Sequence, residues 1–121
     1  MESMRKKILV VDDNEEVRKA TRLAFDRDFK IIEAADEEDA LSVYQTEAPD
    51  VVFLDIDFNG FPRGWDILRK MRSRKSNTLI ILVTGTSSAE RYPYASLADG
   101  FFIKPFEIKP IRDFLAKKGM L

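Results

Sequence analysis

Short apolar runs recur along the chain, each followed by a polar stretch long enough for a helix. The runs occupy positions 8–11, 31–32, 51–54, 79–83 and 101–103. They are nearly unbroken and rich in β-branched residues, which suits strands covered on both faces. The stretches between them predict helices. Asn14 caps the first, Glu15 and Glu16 fill its first turn, and Val17, Ala20 and Ala24 share one face. Asp36 opens the second, with Glu37, Glu38 and Asp39 behind it and Ala40, Leu41 and Tyr44 facing inward. Trp65, Leu68 and Met71 mark a third, with Arg69, Lys70 and Arg72 in its later turns. A fourth is expected after Ser87-Ser88, short or irregular because Pro93 interrupts it. The last has Pro110 near its start, Ile111, Phe114 and Leu115 inside, and Gly119 as its stop.

Five strands alternating with five helices predict an α/β fold: a doubly wound, five-stranded parallel sheet with helices on both faces. A chain of 121 residues is one domain's worth. Positions 1–121 are read as that single domain, structured over about 5–118, with 1–4 outside it and Met4 a second candidate start. In such folds ligands bind at the carboxyl ends of the strands.

Composition narrows the chemistry available there. The chain has no Cys and no His, so thiolate nucleophiles, imidazole bases and zinc sites of either ligand are excluded. Lys+Arg (20) nearly balances Asp+Glu (21), so no overall basic field points to nucleic acid. No apolar run approaches a membrane span, and the basic cluster Arg5-Lys6-Lys7 precedes too short an apolar stretch to be a signal peptide. A soluble cytoplasmic protein is expected. Its chemistry must run on carboxylates, hydroxyls, Lys or Arg, and a hard cation held by oxygen.

Four of the five runs end in a hydrophilic group: Asp12-Asp13, Asp55, Thr84-Gly85 and Lys104-Pro105. In a parallel sheet these ends share one edge. Clustered carboxylates without His or Cys suit Mg²⁺ above other cations. Lys104 offers a fixed positive charge opposite them, and a phosphoryl group between metal and lysine would be neutralised from both sides. The Thr84 hydroxyl can donate to a further phosphoryl oxygen. An Asp carboxylate is a competent phosphoryl nucleophile.

These segments resemble the receiver domains of two-component response regulators, with their flavodoxin-like fold. The resemblance covers essentially the whole chain. Val10-Val11-Asp12-Asp13 resembles the family's acidic pair, and Val51-Val52-Phe53-Leu54-Asp55 its phosphoacceptor strand. Leu82-Val83-Thr84-Gly85 resembles its switch hydroxyl, Phe102-Ile103-Lys104-Pro105-Phe106 its lysine segment, and Glu33-Ala34-Ala35-Asp36 its second strand and helix. The resemblance implies that Asp55 accepts the phosphoryl group. It implies that Asp12, Asp13, Asp55 and the backbone carbonyl of Asp57 hold Mg²⁺, and that Thr84 and Lys104 bind the phosphoryl oxygens. Phe101 falls at the aromatic switch position, where a plain core aromatic is the other reading, and Lys104-Pro105 matches a bond typically cis in the family.

Two departures stand out. The family commonly has a proline four residues after the acceptor and a glycine eight after; here Asn59 takes the first place and Gly64 comes nine after. A one-residue insertion and a reshaped loop are expected. The stretch from Thr84 to Lys104 is also short for the family, so the dimer that many receivers form through their fourth helix, fifth strand and fifth helix is not carried over.

The implied function is a signalling phosphoacceptor, not a metabolic enzyme. A histidine kinase or histidine phosphotransfer protein would be its donor, and an unidentified partner its output. Two alternatives compete with it. Asp55-Ile56-Asp57 also resembles the Asp-x-Asp motif of haloacid-dehalogenase-type phosphatases, although there the acidic metal motif follows the nucleophile, whereas Asp12-Asp13 precedes it. A receiver-shaped binding module working without phosphorylation is the other.

Overall fold

The computed structural model describes residues 5–74, 76–85 and 91–121. Its elements are β1 (Lys7–Val11), α1 (Glu15–Phe25), β2 (Lys30–Ala34), α2 (Glu37–Glu47), β3 (Val51–Leu54), α3 (Gly64–Arg72), β4 (Leu79–Thr84), β5 (Gly100–Ile103) and α4 (Ile108–Lys117). A 3₁₀ turn, Pro93–Leu97, precedes β5. The strands form one sheet in the order β2-β1-β3-β4-β5, and every neighbouring pair is parallel.

The runs of the central strands β1, β3 and β4 are covered on both faces, as their lack of alternation predicts, whereas Ile31 and Ile32 of β2, at the sheet's other edge, are only half-buried. Ile8, Val10, Val51, Phe53, Ile81 and Val83 point to one face, where Phe25 of α1 and Ile111 and Leu115 of α4 meet them. Leu9, Val11, Val52, Leu54, Ile80 and Leu82 point to the other, against Ala40 and Tyr44 of α2 and Trp65, Ile67, Leu68 and Met71 of α3. Each fully buried aliphatic side chain contributes about 2 kcal/mol. β4 is buried at all six positions. β5 is an edge strand, which leaves Ile103 44% exposed.

Helix starts follow their caps. Asn14 Oδ1 accepts from the N–H groups of Glu16 and Val17, and Asp36 accepts from that of Asp39. The inward face of α1 differs from expectation: Thr21 and Phe25 are buried, Val17 and Ala24 half-buried, and Ala20 exposed. Thr21 tolerates the interior because its hydroxyl donates to the Val17 carbonyl at 2.8 Å. The expectation of five helices is also corrected. Among the described residues there are four α-helices, and the segment before β5 is a 3₁₀ turn with Pro93 in its first positions. Proline has no N–H to give a longer helix and clashes with a preceding turn. Ser87-Ser88, where that helix was expected to begin, lie outside the described residues.

Candidate phosphoryl and metal site

The sheet's hydrogen bonding runs one residue past its strands, and this brings the site together. The Asp12 N–H donates to Ala34 O (3.1 Å), the Asp55 N–H to Val11 O (2.9 Å) and the Lys104 N–H to Thr84 O (2.8 Å). Asp12, Asp55, Thr84 and Lys104 therefore stand at one carboxyl edge, as the sequence pattern predicts. Asp12 and Asp55 are 3% and 6% exposed, and Thr84 is fully buried. Carboxylate oxygens of Asp12, Asp13 and Asp55 all lie within 4.8 Å of one another.

Three carboxylates this close repel each other, and Lys104 offsets much of that. Its Nζ lies 2.6 Å from Asp12 Oδ2 and 3.1 Å from Asp55 Oδ2. Burial pushes the Asp55 carboxyl up to about 6, and the Asp12 charge adds to this against the opposing pull of Lys104. Burial disfavours the charge on Lys104, but hydrogen bonds and charges from Asp12 and Asp55 outweigh it and hold the ammonium above its ordinary value. The donor set suits a hard cation, being oxygen throughout.

Other groups hold the acids in place. The Asn14 N–H donates to Asp12 Oδ1 at 2.9 Å, and Arg18 donates to the Asp12 carbonyl at 2.7 Å. Arg18 also pairs with Glu33 at the end of β2, which Arg22 reaches as well. Sequence reasoning did not single out Arg18; a basic residue on a helix that begins beside the acids was the signal available. Asp57 is half-buried, its N–H 3.4 Å from Asp55 Oδ1. Phe101 is half-buried and packs against the α2/α3 side of the core, so its side chain is not among the groups that meet at the acids. The Lys104-Pro105 bond is cis.

The loop after Asp55 closes into a turn. Phe58 and Phe61 exchange backbone hydrogen bonds at 2.8 and 2.9 Å around Asn59 (φ +52°) and Gly60 (φ +84°). Two successive left-handed residues make the Asn-Gly pair a tight hairpin turn. The turn delivers the Asn59 N–H to Asp13 Oδ2 at 2.8 Å, a contact that sequence reasoning missed. Asn-Gly between two aromatics was the readable sign of the turn, but not of its partner. Gly64 then meets the acceptor strand so closely that a Cβ there would lie 2.3 Å from the Asp55 carbonyl oxygen. Trp65 follows it and stacks on Tyr92 at 4.6 Å, tying α3 to the segment before β5.

Comparison with known proteins agrees with this fold. The sequence profile described as response regulator receiver domain matches residues 8–116. Sporulation initiation phosphotransferase F of Bacillus subtilis is 31% identical over 117 residues, 94% of each chain. A putative transcriptional regulator of Pseudomonas aeruginosa is 36% identical over 95% of this chain and 56% of its own length. A probable transcriptional regulator ycf27 of Cyanophora paradoxa is 34% identical over 92% of this chain and 47% of its own. The chain thus spans about half the length of the first regulators it matches. Among solved structures, response regulator protein TrrA from Thermotoga maritima, in complex with Mg(2+)-BeF, superposes with a TM-score of 0.84 at 28% identity. That match covers 93% of this chain and 97% of the other.

Proposed function

The chain belongs to the response regulator receiver domain family, and from that premise we propose that it accepts a phosphoryl group on Asp55. The donor is the phosphohistidine of a histidine kinase or histidine phosphotransfer protein in the cytoplasm. The observation that carries this reading is Lys104 bridging Asp12 and Asp55 within a trio of converging carboxylates.

An oxygen of the Asp55 carboxylate attacks phosphorus, forming a P–O bond as the P–N bond to the donor imidazole breaks; the imidazole keeps the electron pair and takes a proton from solvent. Asp12, Asp13, Asp55 and the Asp57 carbonyl would hold Mg²⁺, which when bound would supply charge neutralisation at the phosphoryl oxygens. Lys104 turns from the carboxylates to the new phosphoryl group, and the Thr84 hydroxyl donates to another of its oxygens. The rearrangement passes to Phe101 and the β4–β5 edge, where an output partner reads it.

Intact mass after incubation with Mg²⁺ and a small acyl phosphate tests the reading. Wild type gains one phosphoryl group, whereas Asp55→Asn and wild type in excess EDTA gain none. Equal labelling of wild type and Asp55→Asn overturns it, and so does undiminished labelling in EDTA. Sustained turnover of a phosphate monoester would favour the phosphatase alternative instead.

A further inference from the structure

We propose that Asn59 is a positioning residue: its backbone N–H occupies one oxygen of Asp13, presenting the other to a divalent cation and biasing the site toward Mg²⁺ over Ca²⁺. This rests on the metal-dependent reading given above.

The Asn59 N–H lies 2.8 Å from Asp13 Oδ2, the length of a charge-assisted bond. The donor sits on a stiff arm. The reciprocal Phe58–Phe61 bonds close the turn, and Phe58, only 4% exposed, anchors it in the core. Asn tolerates the left-handed backbone at φ +52° better than most residues, and Gly60 supplies the second such conformation without strain. A proline here would have no N–H to offer and could not adopt that φ. The contact is therefore a property of this chain's Asn-Gly turn.

The consequence lies in how many oxygens Asp13 can give. With Oδ2 committed to Asn59, Asp13 binds an ion through a single oxygen. Asp12 is limited in the same way only at Oδ1, which accepts from the Asn14 N–H; its Oδ2 faces Lys104, and a cation would have to take that oxygen from the ammonium. One-oxygen ligands at fixed positions suit the strict octahedron of Mg²⁺. Ca²⁺ takes more ligands at longer distances and gains from two-oxygen carboxylates. Groups that orient a metal ligand in this way are worth roughly tenfold or more in affinity.

Mg²⁺ and Ca²⁺ are titrated by calorimetry and Trp65 fluorescence into wild type, Asn59→Gly and Asn59→Pro. Asn59→Gly keeps both donor and turn and should match wild type within about twofold, whereas Asn59→Pro should lose roughly tenfold for Mg²⁺ and less for Ca²⁺. Amide hydrogen exchange reads the bond itself: the exposed Asn59 amide should be protected in wild type and unprotected in Asp13→Ala. Should Asn59→Pro fail to fold, this measurement decides alone. Unchanged affinities for both ions in folded Asn59→Pro, or equal exchange in wild type and Asp13→Ala, overturns the proposal while leaving the metal site standing. Absence of Mg²⁺ binding by wild type overturns the metal reading and this inference with it.

Discussion

Lys104 divides its ammonium between two buried carboxylates, closer to Asp12 Oδ2 (2.6 Å) than to Asp55 Oδ2 (3.1 Å). One cation thus offsets a repulsion that neither acid escapes by solvation. A phosphoryl group on Asp55 would compete for that cation, and the tighter bond to Asp12 is the one it must break.

Lys104→Ala should therefore fold but be less stable. Leaving the two acids unpaired should cost about 3 kcal/mol at neutral pH without metal, read by urea denaturation. Added Mg²⁺ should recover part of the loss. The variant should still take a phosphoryl group on Asp55 but lose the accompanying change in Trp65 fluorescence. A phosphorylated variant with the wild-type change would show that Lys104 does not couple the two.

Asp55 gives the metal-free protein a pH dependence of definite sign. Its folded-state value is raised from 3.8 to about 6, first by burial and then by Asp12. The folded protein then binds the proton more tightly than the unfolded chain. This contribution is complete below 3.8 and is lost as pH rises through about 6. The loss is on the order of 3 kcal/mol, so it should be visible in melting curves. Mg²⁺ competes with that proton, so its stabilising effect should grow between about pH 5 and about pH 7.5. A melting-temperature increment from Mg²⁺ that is flat across this interval would contradict the assignment.

Gly64→Ala should be among the most damaging single substitutions. Its Cβ would lie 2.3 Å from the Asp55 carbonyl oxygen and 2.4 Å from Ile56 Cα, both backbone atoms that cannot rotate aside. The start of α3 or the end of β3 must shift. A loss of about 3 kcal/mol or more is expected in chemical denaturation, together with weaker Mg²⁺ binding because Asp55 moves with its carbonyl.

Asp57 should govern the lifetime of the phosphorylated state. It lies two residues past Asp55, half-buried, with its N–H directed at Asp55 Oδ1. A carboxylate there can orient the attacking water and accept its proton. Asp57→Ala should slow acyl-phosphate decay about two- to tenfold at saturating Mg²⁺. An unchanged decay rate would leave Asp57 only its backbone role.

The sheet and its carboxyl edge were legible in the sequence for a physical reason. Strands buried on both faces write themselves as unbroken apolar runs, and the first hydrophilic residue after each run marks its end. Asp12, Asp55, Thr84 and Lys104 are found together because parallel strands end on one side. What could not be read depends on long-range side-chain geometry. Nothing local in the sequence pairs Arg72 with Asp99, yet this pair, with Arg72 also donating to Leu97 O, fastens α3 to the segment before β5. The buried Thr21 defied its polarity by bonding within its own helix, so the apolar stripe of α1 was drawn one position away. Pro93 announced the irregular segment before β5, but not that it would form a 3₁₀ turn.

The strand order has a kinetic consequence. β1 and β2 come from the first part of the chain, and β3, β4 and β5 from the rest; the two meet at the β1–β3 seam. Asp12 and Asp13 arrive with one part, and Asp55, Thr84 and Lys104 with the other. A half-assembled sheet holds only part of the set. Ligands of this cleft would therefore stabilise only the completed seam, acting by mass action on the native state alone. If the seam closes after the folding barrier is crossed, they slow unfolding and leave refolding from denaturant nearly unchanged.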